Sequence, residues 1–280
     1  MAERTTTPSA STLVVKLGGT EGVDFSAICN DIQQLQQQGY RLVVVHGGSA
    51  EANALGEALN HPPRFITSPS GFTSRYTDRA TLEIFAMAVN GKINSLLVEQ
   101  LQTLGVNALG LSGADGRLME AERKGSVVSL ENGRKRLIHD DYSGKIVHVN
   151  VTLLLTLLGA GYTPVIAPLA ISQNGELLNV DGDRAAAMIA AALNADVLVL
   201  LTAVAGLMRN FPDPATLIPR LNLNQIPQAL ESAQGRMKKK VLGAQEALLG
   251  GVGQVIIADG RQPAPIQQAL QGEGTWITHS

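Results

Sequence analysis

The chain has 280 residues, 45% of them hydrophobic and 16% charged, and a formal net charge of -2. That balance suits a soluble globular protein with a sizeable core in one large or two modest domains, and it argues against bulk binding to nucleic acid or a membrane surface. The single cysteine, Cys29, excludes an internal disulfide and a cysteine-based zinc cluster, and no apolar run approaches the roughly 20 residues that span a bilayer.

Residues 1–11 are polar and threonine-rich, without the apolar segment of a leader. They read as a disordered tail, and a reducing cytoplasm is the expected location. Val14-Val15-Lys16-Leu17-Gly18-Gly19 is then a β-branched run ending in two glycines, and Val43-Val44-Val45-His46-Gly47-Gly48 repeats the pattern. Each reads as a buried parallel strand whose terminal glycines let backbone N–H groups approach a ligand. Two such ends suggest one shared anion site at the carboxyl edge of a sheet. Lys16 either snorkels at a sheet edge or meets an anion, and the neighbouring glycines favour a phosphate-facing role.

Between those strands, Phe25, Ile28, Ile32 and Leu35 recur at helical spacing, which predicts a helix from Asp24 to Gln38 stopped by Gly39. Ser49 is a plausible N-cap for a helix to about Asn60. This β-α-β-α opening points to a parallel sheet. His61 to Thr77 breaks into prolines and serines, a loop or hairpin where substrate loops are expected. Asp78 caps a predicted helix to about Leu104, with Leu82, Phe85, Met87, Val89, Ile93, Leu97 and Leu101 on its buried side. Asn107 to Leu111 is a third strand, and the run Gly110, Gly113, Gly116 after it reads as a tight turn.

Arg117 to Gly144 reads as an antiparallel hairpin around Glu131-Asn132-Gly133. Six of the chain's 22 Lys and Arg residues fall between Arg123 and Lys145: Arg123, Lys124, Arg134, Lys135, Arg136 and Lys145. They form either a solvated hairpin face or a docking surface for something acidic. A helix near Asn150 to Leu158 and a strand from Thr163 to Ala167 follow, and Gly175 to Val180 returns to the core. Asp181-Gly182-Asp183 opens an alanine-rich helix to Leu193, its acidic residues being either ordinary dipole partners or part of a site. Asp196 to Leu201 is another parallel strand, and Pro212 to Gln228 reads as irregular. The helix from Arg236 to Leu249 opens on Arg236, Lys238, Lys239 and Lys240. The macrodipole disfavours cations there, so they either fan into solvent or meet an anion. Val255 to Ala258 and a short strand around Trp276 close the chain. A soft boundary falls near Ala170 to Glu176, within one continuous sheet.

There is no Gly-x-x-x-x-Gly-Lys-[Ser/Thr] loop, no Gly-x-Gly-x-x-Gly after a strand and no Gly-x-Ser-x-Gly elbow. Five scattered histidines offer no metal spacing, and His46 is expected to make a structural hydrogen bond rather than act in catalysis. Glycine-ended strands, lone lysines and an Asp-Gly-Asp helix start suit phosphate handling without a Walker motif.

Taken in order, Val14 to Gly19, Val43 to Gly48, Ser74-Arg75-Tyr76-Thr77, Leu178-Asn179-Val180-Asp181-Gly182-Asp183 and Gly235-Arg236-Met237-Lys238-Lys239-Lys240-Val241 resemble the amino-acid kinase family. Within it the chain is similar to the N-acetylglutamate kinase branch, and especially to the carrier-protein-dependent L-2-aminoadipate kinases of lysine biosynthesis. His46 to Glu51, His61-Pro62-Pro63-Arg64-Phe65, Ser74 to Arg79 and Ala233 to Lys238 pull it there. The resemblance implies an α/β fold, a three-layer αβα sandwich on a mainly parallel central sheet. It implies an acyl-substrate and carrier-binding part over residues 12–173 and an ATP-binding part over 174–280.

The resemblance also implies that Lys16 and Lys240 approach the transferring phosphoryl group from either side and that Asp183 holds both. Gly18 and Gly19 would serve the phosphate, and Gly47, Gly48, Arg75 and Asn179 the substrate. Thr202, Gly206, Leu207 and Met208 would face the nucleotide. The middle of the Thr202-Ala203-Val204 turn departs from the acidic residue usual in acetylglutamate kinases. The implied cofactors are ATP and Mg²⁺ held mainly by its phosphates, with no metal-ligating residues. The implied partners are a small acidic amino-group carrier protein of the LysW type and a second copy of the chain. The six basic residues of 123–145 are then a candidate carrier dock. An N-acetylglutamate kinase of arginine biosynthesis and a non-catalytic ligand sensor are the alternatives.

Overall fold

The computed structural model describes residues 11–18, 25–69, 71, 73–131, 134–233 and 235–280, except for the side chains of 129–131, 134, 232 and 236. The tail expected over the first ten residues, Gly19 and the Arg134 side chain lie outside the described residues.

In chain order, β1 (Thr12–Leu17), α1 (Phe25–Gln37), β2 (Arg41–His46) and α2 (Ser49–Ala58) make the opening β-α-β-α run. β3 (Phe65–Thr67) and β4 (Thr73–Arg75) follow, then α3 (Arg79–Ala86), a π-helical stretch Met87–Asn94, and α4 (Ser95–Thr103). Next come β5 (Ala108–Ser112), β6 (Met119–Arg123), β7 (Val127–Glu131), β8 (Arg134–Ile138), β9 (Gly144–Val149) and α5 (Val151–Gly159). β10 (Thr163–Ala167), β11 (Leu169–Ile171) and β12 (Leu177–Asn179) lead to α6 (Gly182–Ala192) and β13 (Val197–Thr202). The chain closes with β14 (Arg220–Asn222), α7 (Ile226–Ser232), α8 (Gly235–Leu249), β15 (Gln254–Asp259), α9 (Pro265–Leu270) and β16 (Thr275–Thr278).

Eight of these strands form one sheet in the order β14-β16-β15-β13-β1-β2-β10-β5, parallel throughout except where β16 meets β15. Side chains alternate along each strand, so the sheet carries two cores. Val14, Val43 and Val45 pack under α5, α6, α7 and α8, whereas Leu13, Val15, Leu17, Leu42 and Val44 pack under α1, α4 and α9. The result is the expected three-layer αβα sandwich. β1 is central, with β2 on one side and β13 on the other. The order therefore runs outward from β1 in both directions, which opens a crevice at the carboxyl ends of these strands.

Several local expectations change. Gly48 rather than Ser49 holds the N-cap position of α2, and no side chain caps it. The helix from Asp78 is capped as expected, with the Asp78 carboxylate accepting from Thr81 N–H at 2.8 Å, but its middle is π-helical. A π-turn inserts an extra residue per turn and shifts the buried face. Met87, expected inside, is 49% exposed, and Asn94 turns inward. The segment 117–144 divides in two: β7 and β8 make the hairpin, while β6 pairs with β9 in a second sheet ordered β12-β11-β6-β9. The boundary near residues 170–176 falls at the turn between β11 and β12, in that second sheet rather than the central one. Irregular 212–228 contains the edge strand β14 and the start of α7.

Candidate active site

Lys16 is next to last in β1, level with Val45 of β2 and Leu200 of β13, and it shares the face of Val14 towards α6 and α8. α6 begins where the Asp181 carboxylate accepts the N–H groups of Asp183 at 3.0 Å and Arg184 at 3.1 Å. That cap puts Asp183 in the first turn, where the helix dipole favours a carboxylate. α8 packs beside α6 and brings Lys240 to the same point. Asp183 Oδ1 lies 2.9 Å from Lys16 Nζ and 2.9 Å from Lys240 Nζ, and Oδ2 lies 3.0 Å from Lys240 Nζ.

All three side chains are buried. Burial pushes the Asp183 carboxyl up, but the ammonium groups of Lys16 and Lys240 outweigh it and hold it well below the usual carboxylate range. Burial, joined by the charge of Lys16, pushes the Lys240 ammonium down against the pull of Asp183. Among the described residues, two ammonium groups contact one buried carboxylate, with Asp181 adding a further pull on Lys240, so the buried cluster itself carries an excess of positive charge. An anion arriving there completes the balance.

Gly47 donates its backbone N–H to the Leu17 carbonyl at 3.0 Å, so this group ties β2 to β1 rather than facing the crevice. A Cβ on Gly48 would lie 2.6 Å from Ile93 Cδ1 and 2.7 Å from Val89 Cγ1, so close packing on the π-helical stretch reserves this position for glycine. Gly18 follows directly on β1. His46 makes the structural bonds expected of it: Nδ1 donates to the Gly47 carbonyl at 2.8 Å and Nε2 accepts from Asn94 Nδ2 at 3.0 Å. A neutral ring satisfies both. Burial, helped by the charge of Lys16 and opposed by the bond to Gly47, pushes the His46 pKa down to about 4. Gly110 makes room for the Asn94 amide oxygen, and Gly113 meets the Leu169 carbonyl. Those two glycines serve packing.

Arg75 and Asn179 belong to a second, connected group. Arg75 is buried, and its Nη2 donates to Asn53 Oδ1 at 2.5 Å and to the Ser49 carbonyl at 3.2 Å. Asn179 Nδ2 donates to the Thr77 hydroxyl at 3.1 Å, which donates to the Arg75 carbonyl at 3.2 Å. Lys239 joins this group to α8 by donating to the Thr73 carbonyl at 2.8 Å. Sequence reasoning assigned no role to Asn53, Thr77 or Asn94. Thr77 lies inside a motif it singled out, whereas nothing local marks the other two.

Thr202 ends β13 two residues beyond Leu200, on the far side of Lys16 from the group around Arg75 and Asn179. Leu207 and Met208 are buried. Leu207 N–H donates to the Thr275 hydroxyl at 2.9 Å, and that hydroxyl donates to the Ile218 carbonyl at 2.7 Å. A Cβ on Gly206 would meet Thr275 Oγ1 at 2.6 Å. The side chains of Leu207 and Met208 are therefore closed off, whereas residues 202–205 remain half-buried.

The basic residues of 123–145 do not share one face. Lys124, Lys135, Arg136 and Lys145 are exposed. Arg123 instead pairs with Glu176 at 2.8 Å, with 24% of its side chain exposed. On β8, Lys135 alternates with Arg136, and Arg136 shares the side of Ile138, which packs on Ile66 and Tyr76.

A parallel sheet with its crevice at the central strand, and two lysines from opposite halves of the chain on one carboxylate, define an anion-transfer site of the amino-acid kinase type. Residues 11–259 match the amino acid kinase family, and the chain belongs to it. It is 55% identical over 266 residues to a Deinococcus radiodurans protein named "[LysW]-aminoadipate kinase", covering 95% of this chain and 91% of that one. To the Thermus thermophilus protein of the same name it is 50% identical over 267 residues, covering 95% and 99%. A Nitrosopumilus maritimus relative, 40% identical over 271 residues with 95% and 99% covered, is named "Putative [LysW]-aminoadipate/[LysW]-glutamate kinase". Among solved structures, N-acetylglutamate synthase from Neisseria gonorrhoeae superposes with a TM-score of 0.79 at 28% identity, covering 96% of this chain. The chain spans 60% of that synthase. Carbamate kinase from Giardia lamblia bound to AMP-PNP, at 18% identity and a TM-score of 0.70 over 96% of this chain and 99% of that one, shares the fold.

Proposed function

We propose that the protein uses ATP to phosphorylate the side-chain carboxylate of L-2-aminoadipate whose amino group is linked to a small acidic carrier protein, in lysine biosynthesis by the aminoadipate route. The observation that carries this reading is the buried Lys16–Asp183–Lys240 cluster, in a chain 50% and 55% identical to two proteins named for that activity.

Transfer to a carboxylate brings two anions together and spreads charge over the equatorial oxygens of the moving phosphoryl group. Lys16 meets those oxygens from the acyl side and Lys240 from the nucleotide side. Asp183 holds the two ammonium groups at fixed separation, so little reorganisation accompanies the reaction. A carboxylate acceptor has no proton to lose, so no general base is required, and His46 stays neutral in its structural role. Arg75 presents a planar fork suited to the substrate's α-carboxylate, and Asn179 an amide suited to its amide. Residues 12–173 serve the acyl substrate and carrier, and residues 174–280 serve ATP, with Thr202 and the backbone of Gly206, Leu207 and Met208 on the nucleotide. Mg²⁺ supplies further positive charge at the ATP phosphates when bound.

The exposed Lys124, Lys135, Arg136 and Lys145 lie on more than one face and supply a general positive field for the acidic carrier. Carrier-linked glutamate is a second substrate: archaeal relatives carry both names, and one methylene is worth only about 1–3 kcal/mol of discrimination. The working form is a homodimer in the cytoplasm. The family resemblance supports the dimer, and sedimentation at working concentration tests it. Acyl phosphate formation is tested by trapping with hydroxylamine. The hydroxamate should form on carrier-linked aminoadipate in the presence of Mg²⁺-ATP, and the Lys16→Ala variant should slow it by about 10²–10³. Hydroxamate at undiminished rate in that variant removes the mechanism.

A further inference from the structure

Arg123 ends β6 at the outer side of the acyl group of residues, and three contacts engage it. Its Nε donates to the Asp141 carbonyl at 3.0 Å, its Nη1 donates to Glu176 Oε1 at 2.8 Å, and its guanidinium carbon lies 3.8 Å from the centroid of the Tyr142 ring. A planar cation stacked on an aromatic face and bonded at both edges is fixed in orientation.

Tyr142 is a backbone bridge within the acyl group. Its N–H donates to the Thr77 carbonyl at 2.7 Å, and its own carbonyl accepts from the Asn179 N–H at 2.9 Å. Thr77 in turn joins the Asn179 amide to the Arg75 carbonyl. Glu176 sits immediately before β12, the strand that ends in Asn179. Arg123 therefore fixes the Asp141–Tyr142 backbone and the entry to β12 together, and these two segments set the distance between Arg75 and Asn179. The other charged group near the ring, Arg79 at 6.0 Å from its centroid, is paired with Glu83 at 2.8 Å.

We propose that Arg123 is a positioning residue for the acyl-substrate site, acting through Tyr142 to hold Arg75 and Asn179 in register, and is not a contact for an acidic partner. The inference rests on the proposed reading of Arg75 and Asn179 as substrate-binding residues. It separates Arg123 from Lys124, Lys135, Arg136 and Lys145, which are exposed.

The test is steady-state kinetics of Arg123→Ala, Arg123→Lys, Tyr142→Leu and Lys135→Ala against wild type, over a series of salt concentrations. Wild-type turnover of carrier-linked aminoadipate tests the proposed function separately. Should the wild type use free N-acetylglutamate instead, the same ratios are read on that compound. Arg123→Ala and Tyr142→Leu are expected to raise KM for the acyl substrate roughly tenfold, with KM for ATP and kcat unchanged, by a ratio that does not vary with salt. Arg123→Lys keeps the charge but not the stacked fork, and should recover only part of the loss. Lys135→Ala should show its effect at low salt only. The proposal is overturned if Arg123→Ala behaves like Lys135→Ala while Tyr142→Leu matches wild type. It is equally overturned if Arg123→Lys restores full activity. Tyr142→Leu removes no charge, so it decides the question even if Arg123→Ala does not fold.

Discussion

Lys16 and Lys240, from opposite halves of the chain, each place an ammonium nitrogen 2.9 Å from the same oxygen of Asp183. The sheet brings one of them and the packing of α8 on α6 brings the other, so the pair exists only in the folded protein. Lys16→Ala or Lys240→Ala should each lower kcat by about 10²–10³, the usual cost of one transition-state donor, with a smaller change in KM. Asp183→Ala should cost stability as well, about 3–5 kcal/mol, because it leaves two buried ammonium groups facing each other. Urea unfolding of the three variants checks this, and equal stability for Asp183→Ala and wild type would count against it.

Acid should weaken the fold from near neutrality. The His46 pKa falls from about 6.5 in the unfolded chain to about 4 in the fold. A depressed folded-state value means the stability is complete above pH 6.5 and is lost as pH drops towards 4, by about 3 kcal/mol in all. Asp183, also depressed, adds a loss that begins as pH falls into the ordinary carboxylate range and continues below it. Unfolding free energies between pH 7.5 and 4.5 should decline in wild type and decline less steeply in His46→Asn. A flat wild-type profile contradicts the buried neutral imidazole.

On the proposed docking role of the exposed Lys124, Lys135, Arg136 and Lys145, rising salt should raise KM for the carrier-linked substrate steeply, because salt screens attraction to an acidic partner. Removing one of these lysines should flatten the salt dependence while leaving KM for ATP alone. A KM indifferent to salt ends the docking idea.

Gly48→Ala should destabilise by about 1–3 kcal/mol, because the new methyl group overlaps Ile93 and Val89 of the π-helical stretch. A thermal melt reads this directly, and an unchanged midpoint would mean that the stretch yields without cost.

Much of this architecture was legible because buried parallel strands announce themselves. Val14, Val15 and Leu17 in one and Val43, Val44 and Val45 in the other fill both cores. Lys16 stood out as a charge inside an apolar strand and the run ending in Lys240 as cations where the helix dipole is unfavourable, whereas Asp183 sits where the dipole favours a carboxylate and was marked only by the family motif. What stayed hidden depends on distant partners. β6 and β11 pair across a long stretch of chain, and no local pattern fixes that register. Asn94 reads as a surface residue until a π-turn rotates it onto His46. Arg123 counts as one more solvent-facing cation until Glu176 and Tyr142 close around it.

The most direct measurement is ADP release with Mg²⁺-ATP, comparing carrier-linked aminoadipate with free N-acetylglutamate. Turnover that requires the carrier-linked compound is the predicted result. Efficient turnover of free N-acetylglutamate, with none on the carrier, would contradict the central claim and move the enzyme to arginine biosynthesis.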